Sequence, residues 1–349
     1  MLVFFFLLLA LILFLLQRRI YYRIWRKKLQ ISVSFEDERT IEGDGNTVIE
    51  RVENRSIIPI HVIFMKYTLL RSYSPLFDGG GRREVTVKGG IGGRKIKERK
   101  YTIEGLRRGL YTISEVEAMG HDIFLSTEYD SKFYPPSFFF VFPRRADTLS
   151  FDLAYRELLG TILSKRRKNE DPFELRGIRD YMSHDSLRSV NWKASAKTGS
   201  LKVNEHDWTT DEGAAIVLDL RGGSEEEKET LISYAATIAE RFLRRGINTC
   251  VITNARSSRD GRRIYSGFGS GREHINTIDE ALALIKITAV TAETPGELLS
   301  LFSPDNTSLL LITRTPEENE GCDQFDAVIC IEGEMKAEGT TVIKVGGKL

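Results

Sequence analysis

Cysteine and histidine are scarce in this chain, which limits the kinds of site that it can contain. The 349 residues include three cysteines, and no two of them have the C-x2-C spacing of a zinc ribbon. An odd number of cysteines without that spacing supports neither a disulfide framework nor a structural zinc site. The five histidines are scattered and form no ligand set: His61, His121, His184, His206 and His274. We therefore predict a reducing compartment and no bound metal.

The chain also lacks an excess of either charge, because 50 Lys and Arg residues are balanced by 49 Asp and Glu residues. A net charge of +1 excludes a globally basic nucleic-acid-binding protein. Nucleic acid is accordingly not expected as a partner.

Motifs for nucleotide binding and nucleophilic catalysis are missing as well. The sequence has no G-x-x-x-x-G-K-[ST] phosphate loop, and the glycine-rich run at 267–271 has the wrong spacing for a dinucleotide loop. Ser195 has no histidine at a defined spacing, so no nucleophile–base pair is visible. We predict that the protein is not an enzyme and uses no cofactor. A hydrolase that relies on Cys250 or Ser195 is the least favoured alternative.

The start of the chain is strongly apolar. Residues 1–16 read MLVFFFLLLALILFLL, and the residues up to 29 include six Lys and Arg and no acid. Sixteen helical residues span ~24 Å, somewhat less than the ~30 Å hydrocarbon core, so snorkelling arginines would complete the span. The charges follow the apolar run, which is the wrong order for a cleaved signal peptide. We predict a single-pass membrane helix within residues 1–29, with the bulk of the chain cytoplasmic by the positive-inside rule.

Short alternating strands follow in residues 30–145. Ile31, Val33 and Phe35 alternate with polar residues, and further runs of this kind recur up to Phe142, separated by turn residues. This pattern predicts an all-β sandwich of immunoglobulin-like type.

The rest of the chain alternates helices and strands. Residues 146–208 form a connecting segment that begins with a helix, and residues 209–349 are predicted to form an open α/β sheet domain. A near-continuous apolar run at 214–220 is typical of a buried parallel strand. Ser224 is a predicted N-cap, because three glutamates follow it in the first turn of a helix.

One segment carries a resemblance to a known family. Residues 171–205 read DPFELRGIRDYMSHDSLRSVNWKASAKTGSLKVNE, and we call them the signature segment. Weaker matches are Arg107-Arg108-Gly109-x-Tyr111, Asp122-Ile123-Phe124 and Val141-Phe142-Pro143. In order and spacing these residues resemble the domain of unknown function 58 family, whose members are membrane-anchored proteins with a von Willebrand factor A-like domain. The family commonly has two membrane helices before the sandwich, and one is visible here.

The resemblance implies a function as well as a fold. It implies that residues 209–349 are von Willebrand factor A-like and that the partner is a MoxR-type AAA+ ATPase. The signature residues that would bind a partner are Arg179, Tyr181, Asp185, Arg188, Trp192, Lys193, Ser195, Ala196 and Gly199.

The signature segment also has a pattern of its own. Leu187, Val190 and Ala194 fall on one face of a helix for which Asp185 is a natural N-cap. One interpretation is an ion-paired clamp in which Trp192 is a buried aromatic anchor. The other is a recognition surface that includes Trp192. The clamp is the simpler expectation, so we predict that Trp192 is largely buried.

The metal loop expected of a von Willebrand factor A-like domain is degenerate here. Such a domain holds Mg²⁺ through D-x-S-x-S, and the matching positions read Asp219-Leu220-Arg221-Gly222-Gly223. Both serines are absent, and Arg221 places a guanidinium where the cation would bind. We predict that Asp219 accepts hydrogen bonds from Arg221 instead of binding a metal.

Two classes of function follow from these observations. The favoured one is a membrane-tethered adaptor or scaffold that works with a cytoplasmic MoxR-type ATPase. The alternative is a metal-dependent, Mg-binding protein-binding domain of the adhesion type, which would need Asp219 as a ligand.

Overall fold

The structure is a computed structural model that describes residues 2–71, 82–135, 137–166, 170–182, 187, 190–208, 213–300, 307–316, 321–332 and 340–345. The chain divides into two compact units. The first comprises residues 1–144 together with 257–261 and 282–288, and the second comprises 145–256, 262–281 and 289–349.

Helix α1 (Leu2–Lys27) opens the first unit. It is the one helix among the described residues that is long and apolar enough to cross a membrane. Its 26 residues give a length of ~39 Å. The helix is longer than the apolar run because it continues through the basic residues that follow. The apolar side chains up to Leu16 are almost all exposed, whereas Tyr21, Ile24 and Trp25 near the other end are buried. The helix therefore has a bare apolar half and a half that packs on the first unit.

The remainder of the first unit is mostly β. Its strands are β1 (Leu29–Phe35), β2 (Arg39–Ile41), β3 (Asn46–Asn54), β4 (Ile60–Arg71), β5 (Arg82–Ile91), β6 (Lys95–Ile103), β7 (Gly109–His121), β8 (Glu128–Phe133) and β9 (Ser137–Phe142). One sheet has the order β1-β3-β6, and the other has the order β2-β9-β7-β4-β5 with β8 paired to β7. Alternate residues of both sheets, such as Val33, Val48 and Val116, share one buried core. The predicted β domain is confirmed at this level.

The second unit is an open α/β structure. Its strands are β10 (Glu170–Asp180), β11 (Lys202–Trp208), β12 (Ala214–Leu218), β13 (Thr249–Ser257), β14 (Arg263–Tyr265), β15 (Ile285–Val290), β16 (Ser308–Thr313), β17 (Ala327–Cys330) and β18 (Thr341–Lys344). The first part of β15, residues 285–288, is assigned to the first unit. Its helices are α2 (Leu149–Arg166), α3 (Trp192–Thr198), α4 (Glu225–Arg244), α5 (Gly271–Ala283) and α6 (Pro295–Ser300).

The main sheet has the order β14-β13-β12-β16-β17-β18, with β15 also paired to β13. Strand β12 lies at its centre and pairs in parallel with both β13 and β16. All five residues of β12 are buried, as its apolar sequence predicts. Strands β10 and β11 form a separate antiparallel pair.

Local signals in the second unit account for several boundaries. Ser224 caps α4, and with Glu227 it forms the reciprocal capping box, so the predicted N-cap is confirmed. Helix α5 ends at Ala283. The reason is that Ile285 and Ile287 are buried while Lys286 is exposed, a two-residue alternation that forms β15.

Candidate functional site

The central site of the second unit lies where the parallel strands end. The register pairs Leu218 of β12 with Thr253 of β13 and with Ile312 of β16. One residue further along the three strands, Asp219 therefore lies between Asn254 and Thr313. The chain continues from β12 to β13 in one direction along the sheet and from β16 to β17 in the other. The gap between β12 and β16 is therefore a topological switch point, where open α/β sheets bind ligands.

Asp219 is 3% exposed, and both of its carboxylate oxygens are used. Oδ1 accepts from Asn254 Nδ2 at 2.6 Å and from Arg221, at 3.1 Å to the backbone N and 2.9 Å to Nε. Oδ2 accepts from Arg221 Nη2 at 2.8 Å and from Thr313 Oγ1 at 3.1 Å. The predicted contact between Asp219 and Arg221 is present, and the guanidinium lies on the carboxylate that a metal would need. We call Asp219, Arg221, Asn254 and Thr313 the switch-point cluster.

Asn254 and Thr313 were missed by sequence reasoning. Asn254 accepts from the backbone N of Leu220 at 3.0 Å through Oδ1, which leaves its Nδ2 facing Asp219. The available signal was positional, because Asn254 directly follows the run CVIT and Thr313 ends the run LLLIT. Among the residues that the structure describes, no three His, Cys, Asp or Glu side chains are grouped in a way that could hold a metal ion.

The loop after Asp219 does not accommodate the hydroxyls of a metal-binding loop. Gly222 and Gly223 have φ of 62° and 73°, in the left-handed region that favours glycine. A Cβ at position 223 would lie 2.8 Å from Glu227 Oε2 and 2.9 Å from Arg314 Cδ. A serine at this predicted degenerate position would therefore strain the backbone and displace its neighbours.

Charged side chains surround the switch-point cluster. Glu227 accepts from the backbone N of Ser224 at 2.7 Å, and Arg314 lies 3.4 Å from its carboxylate. The hydrogen bond from the Ser224 backbone and the Arg314 charge hold the pKa of Glu227 below its ordinary value. Arg314 also pairs with Glu332 at 2.9 Å, and Arg263 pairs with Glu293.

The signature segment folds as β10, α3 and β11. Asn191 is the N-cap of α3, where its Oδ1 accepts from the Ala194 backbone N at 2.9 Å. Its Nδ2 donates to Asn204 Oδ1 of β11 at 2.7 Å. Val190 forms a bridge with Val203, and both are buried. These contacts hold the start of α3 against β11.

Two predicted recognition residues have structural roles. The Ser195 hydroxyl donates to the Asn191 carbonyl at 2.8 Å and accepts from the Lys202 backbone N at 2.8 Å. Gly199 is the C-cap at φ 72°, and its N–H donates to the Ser195 carbonyl at 2.9 Å. Both residues stabilise the short helix and its junction with β11.

The burial predicted for Trp192 is wrong, since its side chain is 64% exposed. Trp192 is the first residue of the helix, and Ser195 occupies the buried position, where its hydroxyl contacts Lys202 of β11. Val190 precedes the helix in an extended bridge, so it does not share a helical face with Ala194. Asp185, the predicted N-cap, and Arg188 lie outside the residues that the structure describes.

The other predicted recognition residues lie around this helix. Lys193 and Ala196 are exposed on α3. Arg179 is half-buried in β10 and donates to the carbonyl of Asp180 at 3.0 Å. Tyr181 follows β10, and its backbone N donates to the Leu201 carbonyl at 3.0 Å.

Several large apolar side chains of the signature segment are exposed. We call them the signature patch: Ile178, Met182, Leu187, Trp192 and Leu201. Ile178 lies in β10 and Trp192 in α3, and the other three lie between these elements and β11. Large exposed apolar side chains are candidates for a binding surface where they adjoin one another.

Comparisons with known proteins leave the family open. No protein-family profile matches the chain, and no curated protein is similar to it in sequence. Solved structures that share some local geometry include the C-terminal domain of wzt, at 8% identity and a TM-score of 0.25, covering 35% of this chain and 77% of that one. Another is the CARDB domain of the PF1109 protein from Pyrococcus furiosus, at 11% identity and a TM-score of 0.20, covering 32% and 90%. Scores this low carry no argument about function.

Proposed function

We propose that the protein is a membrane-tethered adaptor that binds a cytoplasmic MoxR-type AAA+ ATPase through the signature patch. The observation that carries this proposal is the exposure of Trp192 on a helix whose ends are fixed by Asn191 and Gly199. Tryptophan is enriched among the residues that dominate binding energy, and a preorganised helix binds with less loss of conformational entropy. The resemblance to the domain of unknown function 58 family supplies the identity of the partner.

The second unit fits this role as a von Willebrand factor A-like domain that works without a metal. Its switch point is filled by the Arg221 guanidinium, which satisfies the Asp219 carboxylate from within the chain. Adhesion of the metal-dependent type requires that carboxylate as a ligand. The geometry of Asp219 therefore favours the adaptor over the metal-dependent alternative.

The binding proposal is tested by Trp192→Ala in the full-length chain, solubilised in detergent and used to capture partners from a membrane extract. Because the side chain is exposed, the free energy of unfolding should change by no more than about 0.5 kcal/mol, as for an ordinary surface substitution. Capture of the ATPase, identified by mass spectrometry, should fall at least ~30-fold if Trp192 contributes about 2 kcal/mol.

The matched control is Tyr134→Ala, which removes an exposed aromatic side chain from the first unit. It should leave capture unchanged. Absence of any AAA+ ATPase from the unmutated protein's capture would overturn the proposed partner. Equal capture by the Trp192 variant would place the binding surface elsewhere.

The tether itself predicts a topology. Arg18, Arg19 and Arg23 follow the apolar run of α1, so the positive-inside rule orients the soluble units toward the cytoplasm. A C-terminal alkaline phosphatase fusion should be inactive in bacterial cells, and a C-terminal green fluorescent protein fusion should be bright. Active phosphatase together with a dark fluorescent fusion would reverse this orientation.

A further inference from the structure

The turn between β7 and β8 exposes three consecutive large apolar side chains. Ile123, Phe124 and Leu125 are 50%, 63% and 67% exposed. A tight turn in contact with water normally carries small or polar residues, so a run of this kind requires an explanation.

The turn is a built structure. Asp122 is buried, and it accepts from the Ser126 backbone N at 2.8 Å and from the Ser126 hydroxyl at 2.5 Å. The backbone N of Leu125 donates to the Asp122 carbonyl at 3.1 Å. Leu125 has φ of 55°, a conformation that glycine or asparagine adopts at lower cost. The turn thus presents an apolar side chain at a position whose backbone favours other residues.

The turn lies beside the apolar half of α1. The Phe124 ring is 6.1 Å from the Phe14 ring, and Gln17 Nε2 donates to Asp122 Oδ2 at 3.1 Å. Phe14 belongs to the apolar run and precedes Arg18 by four residues, which corresponds to ~6 Å along the helix. The tip of the turn is therefore level with the end of the apolar run. It lies on the apolar side of Arg18, toward the interior of the membrane.

Contacts on the basic half of α1 fix the position of the turn along the helix. The Tyr129 hydroxyl of β8 donates to the Arg18 carbonyl at 3.0 Å, and its ring stacks on that of Trp25. The Tyr21 hydroxyl donates to the Pro59 carbonyl at 3.0 Å. A Cβ on Gly120 would lie 2.4 Å from the Trp25 ring, so the backbone of β7 also approaches the helix closely. Helix and turn are thereby held in one arrangement within the first unit.

We propose that residues 123–125 insert into the bilayer beside α1 as a second anchor, with the apolar acyl layer as their environment. This inference rests on the proposed membrane span of α1. An element buried ~5–10 Å into the boundary between headgroups and acyl chains gains apolar burial without crossing the membrane. Two points of attachment then fix the orientation of the first unit relative to the membrane surface, because a single helix alone can tilt in the bilayer.

The test uses the full-length chain in lipid nanodiscs, with a fluorescent dye attached at Phe124→Cys. The three native cysteines are buried, so labelling is directed to the new thiol. Lipids brominated close to the headgroup quench a dye that lies at that depth, and lipids brominated deep in the acyl chains quench a dye near the bilayer centre, where Leu9 lies. A dye at Leu9→Cys reports on the helix, and a dye at Ile57→Cys serves as the exposed control.

Ile57 is a matched control because it is also a large, exposed apolar residue in a turn of the first unit. It lies near the far end of α1, where the Arg55 backbone N donates to the Lys28 carbonyl at 2.9 Å. Phe14 and Lys28 are ~21 Å apart along the helix. The dye at 124 should lose at least about twice the fraction of its fluorescence that the dye at 57 loses.

The outcomes distinguish the insertion of residues 123–125 from the membrane span of α1. Quenching at 9 without quenching at 124 overturns the second anchor and leaves the membrane span standing. Absence of quenching at position 9 overturns the span, and with it the inference. A dye at Leu125→Cys repeats the measurement if the variant at 124 melts below the unmutated protein, and absence of quenching there overturns the second anchor in the same way.

Discussion

Replacing Asp219 with alanine should lower the free energy of unfolding of the second unit by about 3–5 kcal/mol, the cost of breaking a buried ionic group. The substitution leaves the Asn254 amide and the Thr313 hydroxyl, both buried, without their acceptor. It also leaves the Arg221 guanidinium without its counter-charge. A loss of this size corresponds to roughly 6–20 °C in melting temperature for a unit of this length.

The measurement is a thermal melt of the full-length chain in detergent, followed by far-UV circular dichroism. Asp219→Asn should lose less than the alanine variant, because an amide oxygen still accepts from two of the donors. Asp323→Ala removes an exposed acid from the same unit and should change stability by no more than about 0.5 kcal/mol. Equal melting of Asp219→Ala and Asp323→Ala would contradict the assigned contacts.

Magnesium provides a second readout at the same residue. A ligand that binds only the folded state at 100 times its Kd stabilises by about 2.7 kcal/mol. Because Arg221 already pairs with Asp219, saturating Mg²⁺ should leave the melting temperature of the unmutated protein unchanged. A Mg²⁺-dependent increase that disappears in Asp219→Ala would instead establish the metal-dependent alternative.

Some features of the fold were accessible from the sequence because they depend on neighbouring residues. Ser224 with Glu227 is a capping box readable at a spacing of three residues, and α4 begins there. The buried strand β12 follows from an uninterrupted apolar run. The membrane-length helix follows from sixteen residues without a polar side chain.

Other features depend on which strands become neighbours, and no local pattern contains that information. The switch-point cluster requires that β12 lie between β13 and β16, which brings Asn254 and Thr313 to Asp219 from 35 and 94 positions away. The exposure of Trp192 goes with a helix that is capped by Asn191 and buries the smaller Ser195. Trp192 was expected to be buried because it is large and aromatic. Its position directly after the N-cap leaves it exposed instead.

Buried charges were equally invisible to sequence reasoning. Arg108 is fully buried, and its Nη1 donates to the carbonyls of Leu282, Ala283 and Ile285, all in the first unit. Glu50 is buried in the same unit and accepts from Arg99 and from the Tyr67 hydroxyl. Each charge is stable inside the protein because partners remote in sequence supply its hydrogen bonds.

Asp279 is another buried charge, and its main partner is the partly exposed Arg145 at the start of the second unit. Arg145 Nη1 and Nη2 donate to the two carboxylate oxygens of Asp279 at 2.9 and 2.5 Å, and Arg145 Nε donates to Glu240 at 2.5 Å. The Asp279 side chain is only 4% exposed. Arg145→Met should therefore destabilise the protein by about 3–5 kcal/mol near pH 8, since it leaves a buried carboxylate without a counter-charge.

The loss should depend on pH in a defined direction. Burial already raises the pKa of Asp279 above its ordinary value of 3.8, although the hydrogen bonds and charge of Arg145 oppose this effect. Without Arg145 the pKa rises further, so the folded variant binds a proton at a pH where the unfolded chain has released it. Stability of the variant then increases as the pH falls toward that of the unfolded carboxyl group. The difference from the unmutated protein should be largest at pH 8 and should shrink by pH 5.

Thermal melts at these two pH values measure the effect, and two further variants show where it originates. Arg144→Met, at the exposed neighbouring position, should stay within about 0.5 kcal/mol of the unmutated protein. Arg145→Met combined with Asp279→Leu removes the buried charge along with its partner, so it should melt above the Arg145 single variant at pH 8. It should also lose the additional pH dependence. A single variant whose deficit is the same at pH 5 and pH 8 would show that the damage comes from lost packing of the arginine side chain and not from the charge of Asp279.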